Sequence, residues 1–379
     1  MKKIALIGST GSIGKQTLSV VRRHADKFKI VSLAAGNNVG DFLQQVEEFK
    51  PSVATLSTSL PDTAKIPDGV EFFSGEDAFK SAIISEADIV VVALVGFKGL
   101  LAVLDAIEKG KDIALANKES LVVGGELVMQ RAKEKGVKIS PIDSEHSAVW
   151  QALGCDFNTP FSKIILTCSG GAFRDLDKQS LKTVTAADAL RHPNWNMGAK
   201  ITVDCATLVN KAFEVIEAKW LYNTDYDKIN VIIHRESIIH SMVEFIDGAV
   251  LAQMSYPTME LPISLALSHP ERLDIGLKSL DFSALKKLTF EDIDHDRFPC
   301  FNLVLDAAKS KGLYPAVAGG ANEQAVKLFL NGQISYGDIY KAIYGALQSF
   351  EGSHHVHLED LIEADNFARN YVKYLFGVK

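Results

Sequence analysis

Apolar runs of strand length alternate with helix-like segments through the first 143 residues of the chain. In the helix-like segments, such as Gln16–Arg23 and Asp41–Phe49, apolar residues recur every three or four positions. Near-continuous apolar strands joined by such helices are typical of a parallel sheet covered on both faces. We therefore predict a doubly wound α/β domain over residues 1–143. The runs that predict strands are Ile4–Ile7, Ile30–Ala35, Val53–Leu56, Ala87–Leu94, Ile113–Ala116 and Val137–Ile142.

The pattern is mixed between residues 144 and 269. Lys163–Cys168 and Lys200–Asp204 have the composition of strands, whereas Leu208–Tyr222 has helical periodicity. Asp247 and Gly248 lie between two apolar runs, and an Asp-Gly pair in that position is typical of a β-hairpin. These features predict a central α+β domain.

Helical periodicity dominates the end of the chain. Residues 270–298 lack a clean period and are interpreted as a connector. Beyond them, apolar residues recur at three-to-four spacing in successive segments, which predicts a helical bundle over residues 299–379. The segments are Asn302–Lys311, Ala321–Leu330, Tyr336–Phe350 and Leu358–Phe376.

Composition narrows the class of protein. Of the 379 residues, 47% are hydrophobic, which is enough to bury large cores in two or three domains. The formal net charge of −7 argues against nucleic-acid binding, which depends on clustered Lys and Arg. The longest apolar run, Ile89–Phe97, is far too short to span a bilayer, and no cleavage site follows Met1. We expect a cytoplasmic protein without a nucleic-acid or membrane partner.

Three glycines stand in the segment Gly8–Gly14 (GSTGSIG), between the first strand and the first helix. Glycines there let the backbone approach a pyrophosphate, and the helix N-terminus adds unpaired N–H groups and a partial positive charge. The spacing is G-x-x-G-x-x-G, and a tight strand-to-helix turn is the alternative interpretation. Because alternating strands and helices follow it, the loop predicts a Rossmann-like dinucleotide-binding domain.

The end of the second strand bears on which nicotinamide cofactor is bound. NAD-dependent enzymes usually place a carboxylate there, on the adenosine ribose. This chain has Gly36, Asn37 and Asn38 instead. Without an acid there is no repulsion against a 2′-phosphate, and the two amides can donate hydrogen bonds to it. The sequence favours NADPH, although no Arg or Lys stands there to pair with the phosphate.

Two acids, Asp143 and Glu145, follow the last strand of the first domain. On an extended chain, residues two apart face the same way, so both carboxylates can converge on one ion. Oxygen-only ligands suit Mg²⁺ or Mn²⁺, and Glu214 on a later helix is available as a third ligand. A solvated strand edge or a helix cap is the alternative. Ligands bind at the carboxyl ends of strands in such sheets, which favours a metal site.

Four polar segments combine small residues with positive charge. Ser and Gly at strand ends expose backbone N–H groups, and Lys and His add charge, a combination that holds phosphate monoesters. For each segment alone, a turn or a surface charge is the alternative. Together they indicate a phosphate-binding site. The segments are Asn117–Ser120, Ser169–Gly171, Arg191–Trp195 and Asn210–Lys211.

A set of motifs, in this order, resembles those of the 1-deoxy-D-xylulose-5-phosphate reductoisomerase family. They are GSTGSIG (8–14), ANKES (116–120), DSEHSAVWQ (143–151), SGGAFR (169–174), RHPNWNMG (191–198) and NKAFEVIEAKWL (210–221). The resemblance covers essentially the whole chain. It implies an NADPH- and divalent-metal-dependent oxidoreductase that rearranges and reduces 1-deoxy-D-xylulose 5-phosphate to 2-C-methyl-D-erythritol 4-phosphate, in the methylerythritol phosphate pathway to isoprenoid precursors. It also implies a homodimer and inhibition by fosmidomycin.

The resemblance further implies roles for individual residues. Asp143, Glu145 and Glu214 would hold one Mg²⁺ or Mn²⁺ ion and, with Lys118, form the catalytic set. Residues 144–269 would be the catalytic domain that binds metal and substrate. Lys118, Ser144, Glu145 and Glu214 would face the reacting end of the substrate. Ser169, His192, Cys205, Asn210 and Lys211 would bind its phosphate, and Trp195 would lie on a mobile lid near residues 189–199. The residues implied to contact NADPH are Thr10, Gly11, Ser12, Ile13, Gly36, Asn37, Asn38, Asn117, Glu119, Gly198 and Met259.

The implied mechanism is a two-step reaction on one metal ion. The ketone and hydroxyl oxygens of the substrate would chelate the ion, and the ion would stabilise the oxyanion that develops during a carbon-skeleton rearrangement. Hydride from NADPH would then reduce the resulting aldehyde. Lys118 would assist through its charge and by handling protons. Phosphate binding would order the lid and exclude water.

At three positions the chain departs from the family. Cys205 stands where the family usually has a serine among the phosphate ligands, and a thiol is a weaker donor than a hydroxyl. Ala172 stands where proline is common. Asn37 replaces a frequent lysine near the 2′-phosphate, which leaves room for relaxed cofactor choice.

Two other classes of protein remain as alternatives. A semialdehyde dehydrogenase opens with a similar glycine loop but needs a nucleophilic cysteine with a nearby base, and Cys155, Cys168 and Cys205 show no such signature. A redox-sensing nucleotide-binding protein would have no reason to retain the acids, the lysine and the phosphate residues together. The histidines His354, His355 and His357 are interpreted as a surface loop between helices.

Overall fold

The computed structural model describes residues 1–195, 197–352 and 356–378. They form two compact units. The first comprises Met1–Ser120, Val128–Ser147 and Thr258–Lys278, and the second comprises Leu121–Leu127, Ala148–Pro257 and Ser279–Lys379. The domain boundaries inferred from the sequence remain predictions, and they differ from this division because residues 258–278 belong to the first unit. His354 and His355 lie outside the described residues, and so does Asn196 within the predicted lid.

Strands and helices alternate in the first part of the chain, and helices alone fill its end. The strands are β1 (Lys2–Ile7), β2 (Phe28–Ala35), β3 (Val53–Leu56), β4 (Glu71–Ser74), β5 (Ile89–Val92), β6 (Asp112–Leu115), β7 (Ile139–Pro141), β8 (Lys163–Cys168), β9 (Ile229–Ile233), β10 (Ile239–Glu244) and β11 (Val250–Met254). The α-helices are α1 (Ser12–Arg23), α2 (Val39–Phe49), α3 (Lys98–Glu108), α4 (Glu119–Lys135), α5 (Ser144–Ala152), α6 (Ala186–Ala189), α7 (Ala199–Ala206), α8 (Val209–Leu221), α9 (Glu260–Ser268), α10 (Phe282–Leu285), α11 (Pro299–Lys309), α12 (Tyr314–Leu330), α13 (Tyr336–Gln348) and α14 (Leu358–Leu375).

The first unit contains a seven-stranded sheet in which all neighbouring strands are parallel. Its strand order is β4-β3-β2-β1-β5-β6-β7, so the chain runs outward from β1 to β4 and then crosses back to β5. This order confirms the predicted doubly wound α/β fold. The switch point between β1 and β5 is where such sheets bind ligands.

The core of the first unit forms where the sheet meets its helices. Leu6 of β1, Leu18 of α1 and Phe42 of α2 are fully buried in one cluster. Helix α9 follows a half-buried Met259 that packs against this cluster. An ion pair holds α9 to α1, with Arg23 Nη1 2.6 Å from Glu260 Oε2.

The second unit contains a four-stranded sheet of order β11-β10-β8-β9. Only β8 and β9 run parallel, and the other neighbours are antiparallel. The β10–β11 hairpin turns at Asp247-Gly248, and Gly248 has φ +84°, a value that glycine adopts without strain. The predicted α+β region, hairpin and terminal helices are therefore present. Among the described residues, no helix has the length and apolar character needed to cross a membrane.

Two local predictions were wrong. Lys200–Asp204 is not a strand, because it lies within α7, which begins directly after Gly198. The β-branched Ile201, Thr202 and Val203 favour strand by composition, but tertiary packing that buries Thr202 and Val203 decides for helix. Asp143 and Glu145 also do not lie on an extended chain, since α5 begins between them at Ser144.

Candidate active site

The glycine loop turns tightly between β1 and α1. Gly8 has φ +98°, and a Cβ atom there would lie 2.5 Å from the carbonyl oxygen of Ala93, the residue after β5. A Cβ atom on Gly14 would lie 2.3 Å from Gly8 O and 2.5 Å from Ser9 O. The first turn of α1 points its N–H groups into this loop, which suits the phosphates of a dinucleotide. Thr10 to Ile13, predicted to contact the cofactor, form this turn.

The residues after β2 place two amides at the same edge of the sheet. Asn38 caps α2, because its Oδ1 accepts a hydrogen bond of 3.2 Å from Asp41 N, and its Nδ2 donates to Asp41 Oδ2 at 2.8 Å. Asn37 and Gly36 precede it, and the Asn37 side chain is exposed. Part of the predicted 2′-phosphate site therefore also serves as a helix cap.

Asn117 and Glu119 follow β6 and are buried. The Asn117 amide donates to Glu119 Oε2 at 2.9 Å and to Gly96 O at 3.1 Å, and its Oδ1 accepts from Ser120 N at 2.9 Å. These bonds tie together the ends of β5 and β6. The asparagine thus fixes the conformation of the carboxyl edge of the sheet, where the cofactor is predicted to bind.

Lys118 and Asp143, 25 residues apart in sequence, form a hydrogen-bonded ion pair. They meet because β6 and β7 are neighbours and both end at the same edge of the sheet. His146, fully buried one turn into α5, places its Nδ1 3.2 Å from the same Asp143 oxygen. Ser144 Oγ donates to Glu145 Oε2.

The pKa of Asp143 is strongly lowered. Burial raises the pKa of this carboxyl, but the charge of Lys118 and the hydrogen bond and charge of His146 outweigh burial and keep it ionised. The N-terminus of α5 adds a favourable partial positive charge. An ionised carboxylate at the carboxyl edge of a parallel sheet, with a second acid two residues on, has the chemistry of a ligand for a hard divalent cation.

A second polar cluster lies in the second unit, on the first turns of α8. Glu214 is 1% exposed and accepts hydrogen bonds from Asn210 Nδ2 at 2.6 Å and from Lys211 Nζ. Lys211, 3% exposed, also donates to Thr167 O of β8 at 2.6 Å. Positions 210, 211 and 214 lie on one helical face, so three predicted site residues converge as their spacing requires.

Ser169 and His192 also meet in the second unit. Ser169 Oγ lies 2.9 Å from His192 Nε2 and accepts from Gly171 N at 3.2 Å. His192 Nδ1 accepts from Asn194 N at 3.2 Å and Trp195 N at 3.0 Å. A neutral imidazole that accepts at Nδ1 carries its proton on Nε2, so His192 donates to Ser169 and the serine O–H can point outward. Trp195 packs edge-on against His240.

Helix α7 packs its end against the same serine-glycine turn. A Cβ atom on Gly171, which has φ +72°, would lie 2.3 Å from Cys205 O. Gly198 is the exposed N-cap of α7, and Cys205 is half-buried near its end. Asp204, almost fully buried, is held by Lys200 at 2.9 Å and by Asn322 of α12 at 2.8 Å. Helix α7 therefore begins directly after Gly198 and ends just beyond Cys205, two residues that are predicted to bind ligands.

Three functional neighbours were not identified from the sequence. His146 supports Asp143, Asn322 supports Asp204, and Arg174 donates to Ser169 O at 3.0 Å. Only for His146 does the spacing in the sequence indicate the contact. It lies three residues after Asp143, so the two side chains are neighbours on one face if a helix begins at Ser144. Asn322 is 118 residues from Asp204, and Arg174, although it ends the SGGAFR motif that begins at Ser169, has no helical or strand spacing that would indicate the contact.

Comparison with known proteins gives a consistent family assignment along the chain. The family model for 1-deoxy-D-xylulose 5-phosphate reductoisomerase matches residues 4–125, that for its C-terminal domain matches residues 139–222, and that for the DXP reductoisomerase C-terminal domain matches residues 254–371. The 1-deoxy-D-xylulose 5-phosphate reductoisomerase of Pelotomaculum thermopropionicum is 47% identical, over 98% of this chain and 97% of its own. That of Listeria innocua is 45% identical, over 99% of this chain and 100% of its own.

Solved structures agree with the sequence comparison. The enzyme from Zymomonas mobilis, in complex with NADPH, superposes with a TM-score of 0.91 at 37% identity, covering 99% of both chains. A DOX-P reductoisomerase in complex with NADPH, fosmidomycin and magnesium superposes with a TM-score of 0.91 at 35% identity, covering 100% of both chains.

Proposed function

The chain belongs to the 1-deoxy-D-xylulose 5-phosphate reductoisomerase family, and from this premise we propose the reaction and the residues that carry it out. The enzyme converts 1-deoxy-D-xylulose 5-phosphate and NADPH to 2-C-methyl-D-erythritol 4-phosphate and NADP⁺, in isoprenoid precursor biosynthesis. Full-length family membership is the observation that carries this proposal. It decides against a thiol-dependent semialdehyde dehydrogenase and against a sensor without catalytic activity.

The geometry of the first unit fits a dinucleotide. The glycine loop is closed so tightly at Gly8 and Gly14 that a Cβ atom at either position would collide with backbone. We assign the pyrophosphate to Thr10–Ile13 at the start of α1, and the adenosine phosphate to Gly36–Asn38. Gly198 and Met259 are assigned to the nicotinamide end. Bound NADPH supplies the hydride, and a bound divalent cation supplies Lewis-acid stabilisation of the substrate oxyanion.

We assign the cation to Asp143, Glu145 and Glu214. Their donor set is all oxygen, which matches Mg²⁺ or Mn²⁺ better than zinc, since zinc prefers nitrogen and sulfur ligands. The strongly lowered pKa of Asp143 keeps that carboxylate available across the physiological range. Lys211 and Asn210 hold Glu214 in one orientation, and Ser144 does the same for Glu145. These contacts preorganise the ligands before any ion binds.

Lys118 is assigned to charge and proton handling at the reacting end of the substrate. Its side chain is 10% exposed, and the ion pair with Asp143 fixes the direction of its ammonium group, which remains protonated. There it can donate to an oxygen on which negative charge develops.

The phosphate is assigned to the serine-glycine turn and the start of α8. Ser169 presents its hydroxyl proton, His192 and the N–H group of Gly171 orient that hydroxyl by donating to its oxygen, and Lys211 adds a charged donor. Cys205 contributes a thiol, a weaker donor than the serine usual in the family. Phosphate binding remote from the chemistry positions the substrate, while Trp195 helps to exclude water.

NADPH oxidation, followed by nicotinamide absorbance with deoxyxylulose phosphate and Mn²⁺, tests the function. We expect oxidation that needs both substrate and metal, is slower with NADH, and is abolished by fosmidomycin. Oxidation that continues in EDTA, or none with NADPH bound, would refute the assignment. For the metal ligands, Glu214→Gln should raise the Mn²⁺ concentration for half-maximal rate, whereas Glu323→Gln, an acid paired with Arg369 elsewhere in the second unit, should not.

We also propose a cytoplasmic homodimer. Strand β11 lies at the edge of its sheet, and Val250 and Leu251 are 47% and 52% exposed. An unpaired apolar edge strand is a surface that a second copy of the chain can cover. Light scattering after size exclusion should give twice the mass of one chain, and Leu251→Glu should shift the protein toward the monomer. A wild-type monomer would contradict this proposal.

A further inference from the structure

Arg174 lies at the centre of contacts that link the phosphate site to the lid segment. Its Nη1 donates to Ser169 O at 3.0 Å and to Arg235 O at 3.3 Å, and lies 3.5 Å from Asn194 Oδ1. Asn194 belongs to the predicted lid, and its Nδ2 donates to the same Arg235 O at 2.9 Å. The Asn194 amide is thus oriented by two partners. We call Arg174, Asn194 and the carbonyl group of Arg235 the lid latch.

The latch acts on residues assigned to the substrate phosphate. Arg174 fixes the backbone of Ser169, whose hydroxyl accepts from His192, and His192 Nδ1 in turn accepts from the N–H groups of Asn194 and Trp195. The bonds form a closed ring that runs from Arg174 through Ser169, His192 and Asn194 back to Arg174. Each member restricts the next, because hydrogen-bonded networks of this kind are cooperative.

We propose that Arg174 is a positioning residue that couples phosphate binding at Ser169 to the conformation of the lid through Asn194. The inference rests on the proposed function, since it takes Ser169 and His192 as phosphate ligands. Arg174 reaches carbonyl oxygens and an amide in these contacts, so it works through its neighbours. The planar guanidinium directs its N–H donors in a fixed fork, whereas a lysine ammonium is a flexible point charge.

Arg235 supplies a matched control. Its side chain turns to the surface, where it pairs with Glu291 and with Asp175 at 2.5 Å, while only its carbonyl oxygen belongs to the latch. Arg235→Met therefore removes a neighbouring arginine of the same size and charge and keeps all three latch contacts, while Asp175 retains its ion pair with Arg174 Nε at 3.6 Å. Arg174→Met removes the latch donor, and Arg174→Lys retains the charge alone.

The full-length variants would be compared by substrate KM, NADPH KM, kcat and the change in tryptophan fluorescence on adding inorganic phosphate. The part of that change that is lost in Trp195→Phe reports on the lid, because Trp150 and Trp220 also fluoresce. Loss of a charge-assisted hydrogen bond predicts about a tenfold higher substrate KM and phosphate Kd for Arg174→Met. Arg174→Lys should fall between, and NADPH KM should stay within about twofold for a network confined to the phosphate end. Asn194→Ala should resemble Arg174→Met, and the double variant should be little worse than either, because members of one network are not additive.

Wild-type phosphate affinity and substrate KM in Arg174→Met would overturn the proposal, as would equal losses in Arg235→Met. Fully additive losses in the double variant would also overturn it, and so would a fluorescence response that moves in step with melting temperature alone. Failure of the proposed function has a different signature, namely a wild-type enzyme that oxidises no NADPH with substrate and metal. The phosphate titration would then still test the latch by itself, and a wild type that binds no phosphate would refute it.

Discussion

The buried pair between Lys211 and Glu214 allows a quantitative prediction about stability. Their side chains are 4% and 1% exposed, so Lys211→Met leaves a carboxylate inside the second unit without its charge partner. Breaking a buried ion pair from one side costs about 3–5 kcal/mol. The hydrogen bond from Asn210 Nδ2 at 2.6 Å remains, which places the expected loss near the lower end, at about 3 kcal/mol.

The same reasoning predicts a partial recovery. Adding Glu214→Gln to Lys211→Met removes the unpaired charge, and replacing both members of a buried pair is far less costly than replacing one. The double variant should therefore regain about 2 kcal/mol of the loss, even though it carries one more substitution.

Urea unfolding followed by circular dichroism, with EDTA present to remove metal, would measure both effects. Lys341→Met provides a control, because Lys341 is 70% exposed and its pair with Asp338 should contribute little. A double variant no more stable than Lys211→Met would refute the reasoning. It would show that the cost comes from lost packing and not from the unpaired charge.

Three further predictions concern the ligand sites. Gly14→Ala should lower the melting temperature and the NADPH affinity, since the added Cβ would lie 2.3 Å from the carbonyl oxygen of Gly8. Gly11→Ala, whose Cβ would have its nearest contact at 3.4 Å, should leave the melting temperature unchanged. Equal losses in the two variants would contradict the steric argument. Lys118→Met should destabilise most near neutral pH. The lowered pKa of Asp143 contributes stability at pH values above about 4, the pKa of an aspartate in the unfolded chain, and this stability is lost on acidification. The melting temperatures of the wild type and Lys118→Met, measured in EDTA, should therefore converge as the pH falls below that value. A difference that stays constant with pH would contradict the assignment. Cys205→Ser should lower substrate KM by up to about fivefold, the value of one neutral hydrogen bond, and an unchanged KM would place residue 205 outside the phosphate site.

The sequence alone determined the class of fold and much of the candidate chemistry. Strands that are apolar throughout, without alternating polar residues, and that are separated by amphipathic helices indicate a parallel sheet with helices on both faces. The glycines within residues 8–14 mark the edge of that sheet where ligands bind. The spacing of Asn210, Lys211 and Glu214 also determined their convergence, because residues three and four apart share a helical face. Local periodicity failed at Lys200–Asp204 and at Asp143–Glu145, where composition or strand spacing suggested an extended chain and packing produced helix.

Tertiary structure decided which distant residues became partners. Lys118 meets Asp143 because β6 and β7 are adjacent. Lys211 reaches Thr167, 44 residues earlier, because α8 packs against β9, the neighbour of β8. Arg174 reaches Asn194 and the carbonyl oxygen of Arg235, which lie 20 and 61 residues later in the chain. Periodicity describes one element at a time, whereas these contacts depend on strand order and on which loops that order brings to one edge. The sequence therefore determined which chemical groups are present, and the fold determined which of them act together.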